Sequence, residues 1–145
     1  MLKDHVVLIT GAASGIGLAA SRLFIQEESN VIGVDMDQES LNEASRTLGK
    51  RFIPRKCDIT IESQIEAVAK FTEEKHGRLD TLVNNAGRGT LVNMETMLEK
   101  DFYWHYDADV KGPMLMVKHF IPLLRKSSNA SIVNISSSAA RVEHT

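Results

Sequence analysis

The chain has 145 residues, of which 43% are hydrophobic and 25% are charged, and its formal net charge is −2. These values are typical of a single globular domain and give no sign of a nucleic-acid or anionic-membrane partner. No apolar run is long enough to span a bilayer, and we expect no signal peptide because the first residues lead directly into the first apolar segment. Cys57 is the only cysteine, so an internal disulfide is impossible. We expect it to be a small buried residue in a reducing, cytoplasmic compartment.

A glycine-rich turn follows the first predicted strand. The apolar run at residues 5–9 predicts a buried parallel strand, and apolar residues at helical spacing from residue 16 predict a helix. The turn between them can bind the pyrophosphate of a dinucleotide, because the backbone N–H groups and positive end of the helix favour an anion. The alternative is a glycine-rich turn without a ligand. The residues predicted to hold the pyrophosphate are Gly11, Ser14, Gly15, Ile16 and Gly17.

An acidic residue ends the second predicted strand, residues 31–34. Asp35 lies 18 residues beyond Gly17, close to the spacing of about 20 expected for the residue that holds the adenosine ribose. A carboxylate there accepts hydrogen bonds from both ribose hydroxyls and repels a 2′-phosphate. The positions that would hold a compensating cation are not basic: Ala13, Ser14 and Met36. The sequence therefore predicts NAD rather than NADP as the cofactor. Asp35 could instead cap the next helix, although Asp37 is better placed to do so.

Strands and helices continue to alternate along the chain. The predicted strands are residues 51–57, 79–83 and 131–135, and the predicted helices are residues 38–49, 61–76 and 99–126. Pro54 favours an edge position for the third strand, and Pro113 is expected to bend the last helix. The pattern predicts an α/β fold, a doubly wound parallel sheet of Rossmann type with strand order 3-2-1-4-5 and right-handed crossovers.

Two motifs carry a resemblance to a known family. The sequence T-G-A-A-S-G-I-G stands at residues 10–17, and N-N-A-G stands at residues 84–87, directly after the fourth strand. Together they resemble the short-chain dehydrogenase/reductase family. The resemblance covers the whole chain, but this corresponds to roughly 55–60% of a typical domain of that family. It implies an NAD-dependent oxidoreductase that moves a hydride between the cofactor and a small-molecule alcohol or carbonyl substrate.

The resemblance also implies roles for residues around the cofactor. Asp58 and Ile59 would contact the adenine, although Asp58 or Thr60 could equally cap the helix that begins near residue 61, and both roles can hold. Two amides at the end of a strand can hold neighbouring strands together and line the crevice, and Gly87 lets the backbone pass close to the nicotinamide ribose. The residues expected to line the nicotinamide half are Asn85, Ala86 and Gly87.

Two catalytic positions are implied by the same resemblance. Ser137, in the serine-rich turn after the fifth strand, matches the serine that holds the substrate oxygen. Asp109 stands where the family has an asparagine that shapes the long helix and helps to carry a proton-relay water. An aspartate accepts the same hydrogen bonds but cannot donate those of the amide, and it adds a charge.

The acid/base of the family is a tyrosine in a Tyr-x-x-x-Lys turn, which these 145 residues do not contain. The only tyrosines are Tyr103 and Tyr106, on the long helix. We therefore expect the 145 residues alone to be inactive and to belong to a longer enzyme. The alternative is a chain that ends at Thr145, a non-catalytic dinucleotide-binding fragment or interaction module.

The long helix carries an aromatic cluster at residues 102–106. We interpret it as core and subunit contact rather than as a substrate or base-stacking site, with His105 at a surface or interface. The resemblance implies a homodimer or homotetramer formed through this helix. No cysteine, histidine and carboxylate group has metal-ligand spacing, so no metal site is predicted.

Overall fold

The computed structural model describes residues 2–89 and 93–137, so the last part of the serine-rich turn, residues 138–140, lies outside the described residues. The described strands are β1 (Val6–Thr10), β2 (Asn30–Asp35), β3 (Phe52–Lys56), β4 (Thr81–Asn84) and β5 (Ser131–Asn134). The α-helices are α1 (Gly15–Gln26), α2 (Gln38–Leu48), α3 (Glu62–His76), α4 (Glu99–Tyr106) and α5 (Gly112–Leu124). A π turn, Asp107–Lys111, joins α4 to α5. Within these ranges no helix combines the length and apolar character needed to cross a membrane.

All the described strands pair in parallel in one sheet, in the order β3-β2-β1-β4-β5. This confirms the predicted strand order. In the register of the sheet, Leu8 of β1 lies opposite Ile32 of β2 on one side and Leu82 of β4 on the other. β3 lies at the edge, where Pro54 costs no ladder hydrogen bond on its outer side.

Helices cover both faces of the sheet around β1, which explains why β1 is buried along its whole length, whereas β5 is exposed throughout. Successive side chains of a strand point to opposite faces, so Leu8 packs with Ile65 and Phe120, from α3 and α5. Ile9 packs with Leu41 of α2, and α1 covers the same face. The carboxyl ends of the central strands β1 and β4 are thereby held rigidly side by side.

The predicted long helix is not regular. Its first part ends at Tyr106, and the N–H of Gly112 donates to the carbonyl oxygen of Asp107, five residues earlier. Pro113 lies in the first turn of α5, where its missing N–H is tolerated. The departure from α geometry therefore precedes the proline, and it places Asp109 within a π turn.

The aromatic residues of α4 do not form the core that we predicted. Phe102 and Tyr103 are each 51% exposed, and α4 contributes no buried side chain. The core-forming part of this segment is α5, whose Met116 and Phe120 are fully buried. Phe102 instead stacks on Tyr106, with ring centroids 5.8 Å apart, because residues four apart lie on one face of a helix.

Cys57 is 2% exposed. Burial, with a smaller contribution from the neighbouring Asp58 carboxylate, raises the pKa of the Cys57 thiol to about 12. The thiol is therefore protonated at neutral pH, as expected of a small buried residue rather than a nucleophile.

A buried carboxylate fixes the amino ends of β1 and β4. Asp80 is 4% exposed and accepts hydrogen bonds from the Val6 N–H at 2.8 Å, from Arg78 Nε at 3.1 Å and from Ser127 Oγ at 2.6 Å. Burial alone would raise the pKa of Asp80, but these hydrogen bonds outweigh it and hold the pKa below its usual value.

We expect Asp80→Asn to lower the free energy of unfolding at neutral pH by about 2 kcal/mol, because the charged acceptor of three donors is lost. Since the folded pKa is lowered, this contribution is present above the unfolded pKa of about 3.9 and is lost as the pH falls through the folded value. Urea denaturation across a pH series should show that the free energies of unfolding of the wild-type and Asp80→Asn proteins converge at acid pH. The control is Asp4→Asn, an exposed partner of Arg51 at 3.4 Å. A difference in free energy of unfolding that stays the same at every pH would show that the charge of Asp80 does not stabilise the fold.

Candidate functional site

The side chain of Thr10 joins the two sequence motifs. Its Oγ1 accepts hydrogen bonds from the backbone N–H groups of Asn85 and Ala86, each at 3.0 Å. In return, Nδ2 of Asn85 donates to the carbonyl oxygens of Thr10 at 2.9 Å and Gly11 at 3.2 Å. The glycine turn and the N-N-A-G segment are therefore one rigid unit at the carboxyl ends of β1 and β4.

We expect Thr10→Val to cost about 1 kcal/mol of folding free energy, because two partly buried backbone donors lose their acceptor while the side-chain shape is kept. Thr10→Ser keeps the hydroxyl and is the matched control. Chemical denaturation of the three proteins measures the difference. Equal stability of the valine and serine variants would show that the hydroxyl does not hold the motifs together.

The glycines of the turn serve different geometric needs. Gly11 and Gly15 have φ values of +63° and +51°, which L side chains rarely adopt. A Cβ atom on Gly17 would collide with the carbonyl oxygen of Gly11 and lie 2.6 Å from Nδ2 of Asn85. A Cβ on Gly15 would meet no atom within 4 Å, so the chain leaves open space there.

The start of α1 has no side-chain cap within the part of the chain that the structure describes. Ser14 is the N-cap residue, its side chain makes no capping hydrogen bond, and the first turn contains no acidic residue. The N–H groups and the positive end of the helix dipole therefore remain available to an anion. Together with the open space at Gly15, this is a cradle suited to a pyrophosphate.

Asp35 is held at the end of β2 beside the same turn. Its Oδ2 accepts from the N–H of Ala13 at 3.2 Å, and its Oδ1 accepts from the N–H of Asp37 at 3.1 Å. Asp37 caps α2 by accepting from the N–H groups of Glu39 and Ser40. The capping role thus belongs to Asp37, and each oxygen of Asp35 can still accept a further hydrogen bond in the crevice.

Asp58 has a local role that differs from helix capping. Its Oδ1 accepts from the N–H of Thr60 at 2.9 Å and from the Thr60 hydroxyl at 2.7 Å, which closes a turn before α3. The N-cap residue of α3 is Ile61, without a side-chain cap. Oδ2 of Asp58 lies 3.7 Å from Nη2 of Arg88.

A cavity of about 520 Å³ lies at the carboxyl edge of the sheet, between the glycine turn and the loops that follow β2, β3 and β4. Of the predicted cofactor residues, Gly17 is the one that does not line it, because it packs beneath the turn. The lining includes Gly11, Ser14, Gly15, Ile16, Asp35, Asp58, Ile59, Asn85, Ala86 and Gly87. The sequence therefore identified the residues of a single cavity from four separate segments.

A second cavity, of about 790 Å³, adjoins the first and shares residues 85–88 with it. Asp109 and Ser137, the two predicted catalytic residues, both line this cavity. So does Asn84, which is 4% exposed and donates through Nδ2 to Oδ1 of Asn134 at 2.9 Å. The Oδ1 of Asn84 is buried without a hydrogen-bond partner among the described residues.

The Asp109 carboxylate is held by the loop after β4. Its Oδ1 accepts from the N–H of Arg88 at 2.8 Å, and its Oδ2 lies 3.8 Å from Nδ1 of His105. The same His105 nitrogen lies 3.1 Å from the carbonyl oxygen of Arg88. Asp109 therefore uses the accepting capacity that it shares with an asparagine.

Sequence reasoning missed Arg88 and His105. His105 is half-buried against Arg88 and Asp109, two contacts that the predicted surface or interface position did not include. The spacing of four residues between His105 and Asp109 was the available signal. Arg88 follows the N-N-A-G motif directly, but only the fold shows that it reaches Asp58, from the loop after β3.

A histidine and two carboxylates also meet away from the crevice. The ligand atoms of Glu62, Glu66 and His119 lie within 4.8 Å of one another, a cluster across α3 and α5 that linear spacing could not show. Lys118 Nζ lies 2.6 Å from Glu62 Oε1, and hydrogen bonds from Lys118 and His119 lower the pKa of Glu62. Because an ammonium group already balances the charge, we interpret the cluster as ion pairing between the helices.

A parallel sheet in this order, with a glycine turn after β1 and an acidic residue after β2, defines a Rossmann-type dinucleotide-binding fold. The sequence matches the family model for short chain dehydrogenases over residues 5–145. The chain belongs to the short-chain dehydrogenase family, and this confirms the resemblance noted from its motifs.

Among curated proteins, the chain is 39% identical over 140 residues to a 3-oxoacyl-(acyl-carrier-protein) reductase of Thermotoga maritima, covering 94% of this chain and 56% of the relative. It is 34% identical over 141 residues to a galactitol 2-dehydrogenase of Agrobacterium fabrum, covering 97% of this chain and 55% of the relative. The chain thus spans about half the length of these relatives.

Solved structures show the same fold. A short-chain dehydrogenase from Streptomyces avermitilis superposes with a TM-score of 0.90 at 30% identity, covering 97% of this chain and 52% of that one. A 3-ketoacyl-(acyl-carrier-protein) reductase from Brucella melitensis, solved in complex with NADH, gives a TM-score of 0.92 at 30% identity. That match covers 97% of this chain and 60% of the other.

Proposed function

We propose that this chain is the cofactor-binding part of an NAD-dependent oxidoreductase that moves a hydride between nicotinamide and an alcohol or carbonyl group. One observation carries the proposal. A single cavity joins the glycine turn, Asp35 and the N-N-A-G segment, and it shares a wall with the cavity that holds Ser137 and Asp109. A dinucleotide site in the first cavity and a reaction site in the second would thus be continuous.

The described residues fit a dinucleotide along the first cavity. The open space at Gly15 and the uncapped start of α1 would take the pyrophosphate. Asp35 would hold the adenosine ribose, with Asp58 and Ile59 beside the adenine. Asn85 would act chiefly through its neighbours, because its Nδ2 already donates to Thr10 and Gly11. Ala86 and Gly87 would then lie against the nicotinamide half.

The preference for NAD over NADP rests on charge. Among the described residues that line the first cavity, Arg88 is the only lysine or arginine, and its Nη2 is 3.7 Å from Asp58. A 2′-phosphate near Asp35 would face a carboxylate, and repulsion between like charges disfavours it. A ribose with two free hydroxyls would instead donate to that carboxylate.

The reaction site would work through side chains of the second cavity. A bound nicotinamide dinucleotide supplies or accepts the hydride. The Ser137 hydroxyl would donate a hydrogen bond to the substrate oxygen, and the acceptor-rich Asp109 carboxylate, fixed by the Arg88 N–H, would orient a neighbouring water. The proton itself requires an acid/base group, and the Tyr-x-x-x-Lys of the family is not among these 145 residues.

A second candidate is a dinucleotide-binding module without catalysis. The observation that favours it is Asp109, which stands where the family pattern has an asparagine. Such a module would bind the cofactor equally well and would leave alcohols and carbonyls unchanged.

The proposal extends to the domain, the oligomeric state and the compartment of the protein. Residues 1–145 would form a single cofactor-binding domain that is incomplete relative to the family. The exposed aromatic residues of α4 would supply part of a homodimer or homotetramer contact. The protein would act in the cytoplasm, consistent with a buried, protonated and unpaired Cys57.

Turnover assays separate the two candidates. Reduced nicotinamide absorbance is followed with a panel of alcohols, ketones, 3-oxoacyl thioesters and polyols, using NAD(H) and NADP(H) in parallel. We expect the 145 residues alone to bind NADH without turnover, and a protein that continues beyond them with Tyr-x-x-x-Lys to react with NAD(H). In that protein, Ser137→Ala should lower kcat. Binding without turnover there would establish the module instead, and an absence of binding would contradict both candidates.

A further inference from the structure

Arg88 stands where the two cavities meet, and it lines both. Its backbone is fixed on two sides, because its N–H donates to Asp109 Oδ1 at 2.8 Å and its carbonyl oxygen lies 3.1 Å from Nδ1 of His105. The backbone position of Arg88 is therefore set by α4 and the π turn, and the side chain starts from a defined point.

The side chain reaches from α4 to the loop after β3. Its guanidinium carbon lies 4.9 Å from the centre of the Trp104 ring, and Nη1 lies 3.5 Å from the Trp104 carbonyl oxygen. At the other end, Nη2 lies 3.7 Å from Asp58 Oδ2, and the side chain is 20% exposed. A largely buried cation thus spans the end of the first cavity where Asp58 and Ile59 lie.

Arg88 and Asp58 keep hydrogen-bonding capacity toward a ligand. Oδ1 of Asp58 is occupied by Thr60, whereas Oδ2 is 3.7 Å from Arg88, which exceeds hydrogen-bond distance. The pair therefore presents a carboxylate acceptor beside guanidinium donors. Adenine offers the complement, an amino donor next to a ring-nitrogen acceptor. The flat guanidinium can also stack on a base.

We propose that Arg88 is an adenine-recognition residue, which together with Asp58 selects a base carrying an amino group beside a ring nitrogen. The proposal rests on the dinucleotide site described above and adds a contact to it. Arg88 is a donor to the base and a wall of the base subsite, while its backbone N–H separately holds Asp109.

The test compares ligands as well as variants. Wild-type protein is titrated calorimetrically with NADH and with its hypoxanthine analogue, in which a carbonyl replaces the amino group of the base. We expect the analogue to bind about tenfold more weakly, since the buried donor and acceptor would be mismatched. This arm requires no variant to fold. Equal binding of the two ligands would overturn the proposal.

The second arm uses Arg88→Met, which keeps an adaptable side chain on Trp104 and leaves the backbone N–H to Asp109 in place. We expect NADH and ADP-ribose to bind about tenfold more weakly and the preference over the hypoxanthine analogue to shrink, since only the Asp58 acceptor then remains to select the amino group. Reduced nicotinamide mononucleotide, which lacks adenosine, should bind as it does to wild type. The control is Arg55→Met, because Arg55 stacks on Phe71 at 3.4 Å and does not line this cavity.

The outcomes separate the proposal from the function on which it rests. Unchanged NADH affinity in Arg88→Met, or an equal loss for the mononucleotide and the dinucleotide, would overturn the adenine role while leaving the cofactor site intact. A loss of affinity confined to NADPH would also overturn the adenine role, since Arg88 would then bind a 2′-phosphate. A wild-type protein that binds none of these ligands would refute the dinucleotide site itself, and the adenine role with it.

Discussion

Gly17→Ala is expected to abolish NADH binding and to lower the free energy of unfolding by about 3 kcal/mol. The added Cβ would collide with the carbonyl oxygen of Gly11 and crowd Nδ2 of Asn85, so either α1 or the turn must move. Because the Gly11 carbonyl also accepts from Asn85, displacement breaks the link between the two motifs. Chemical denaturation and a calorimetric NADH titration measure the two effects.

Gly89→Ala is the matched control for that experiment. Its Cβ would meet no atom within 4 Å, and its φ does not lie in the left-handed region. We expect its stability to stay within about 0.5 kcal/mol of wild type. A Gly17→Ala protein with wild-type stability and wild-type affinity would show that the close packing of α1 on the turn is unnecessary.

Asp35→Ala is expected to reverse the cofactor preference. NADH should bind about tenfold to a hundredfold more weakly, because a charged acceptor of ribose hydroxyls is lost. NADPH should bind more tightly, because the repulsion of its 2′-phosphate is removed. Parallel titrations with the two reduced cofactors give both affinities.

Asp37→Ala controls for the removal of a carboxylate in the same loop. Asp37 caps α2 and does not line the cavity, so its loss should weaken the helix cap and leave the ratio of the two affinities unchanged. If Asp35→Ala left NADH affinity unchanged and did not improve NADPH binding, the ribose assignment would be wrong.

The sequence predicted the sheet because its strands carry local signals, which tertiary packing reinforces at β1, β2 and β4. The all-buried run of β1 is too apolar to face water, and Pro54 restricts β3 to an edge. The glycine turn was recognisable because its spacing occurs between a strand and a helix. These are short-range patterns, so a single sequence contains them.

Features that depend on three-dimensional packing could not be predicted in this way. Pro113 suggested a bend, but the π turn precedes it and forms where Asp109 meets Arg88. The helical spacing of the α4 aromatics is equally consistent with a core face and an exposed face, and only the fold shows that α5 is the helix that covers the sheet. The contact between Arg88 and Asp58 joins loops after different strands, so no local pattern encodes it.

Titration of the protein with NADH, followed through tryptophan fluorescence, tests most directly whether a nicotinamide dinucleotide occupies this cavity. Trp104 is the only tryptophan of the sequence, and it contacts Arg88, which lines the cavity. We predict saturable quenching of Trp104 with energy transfer to the reduced nicotinamide, complete below about 1 mM NADH and absent in Gly17→Ala. NADPH should need higher concentrations. Tryptophan emission that does not change up to millimolar NADH, in a protein shown to be folded, would contradict the account.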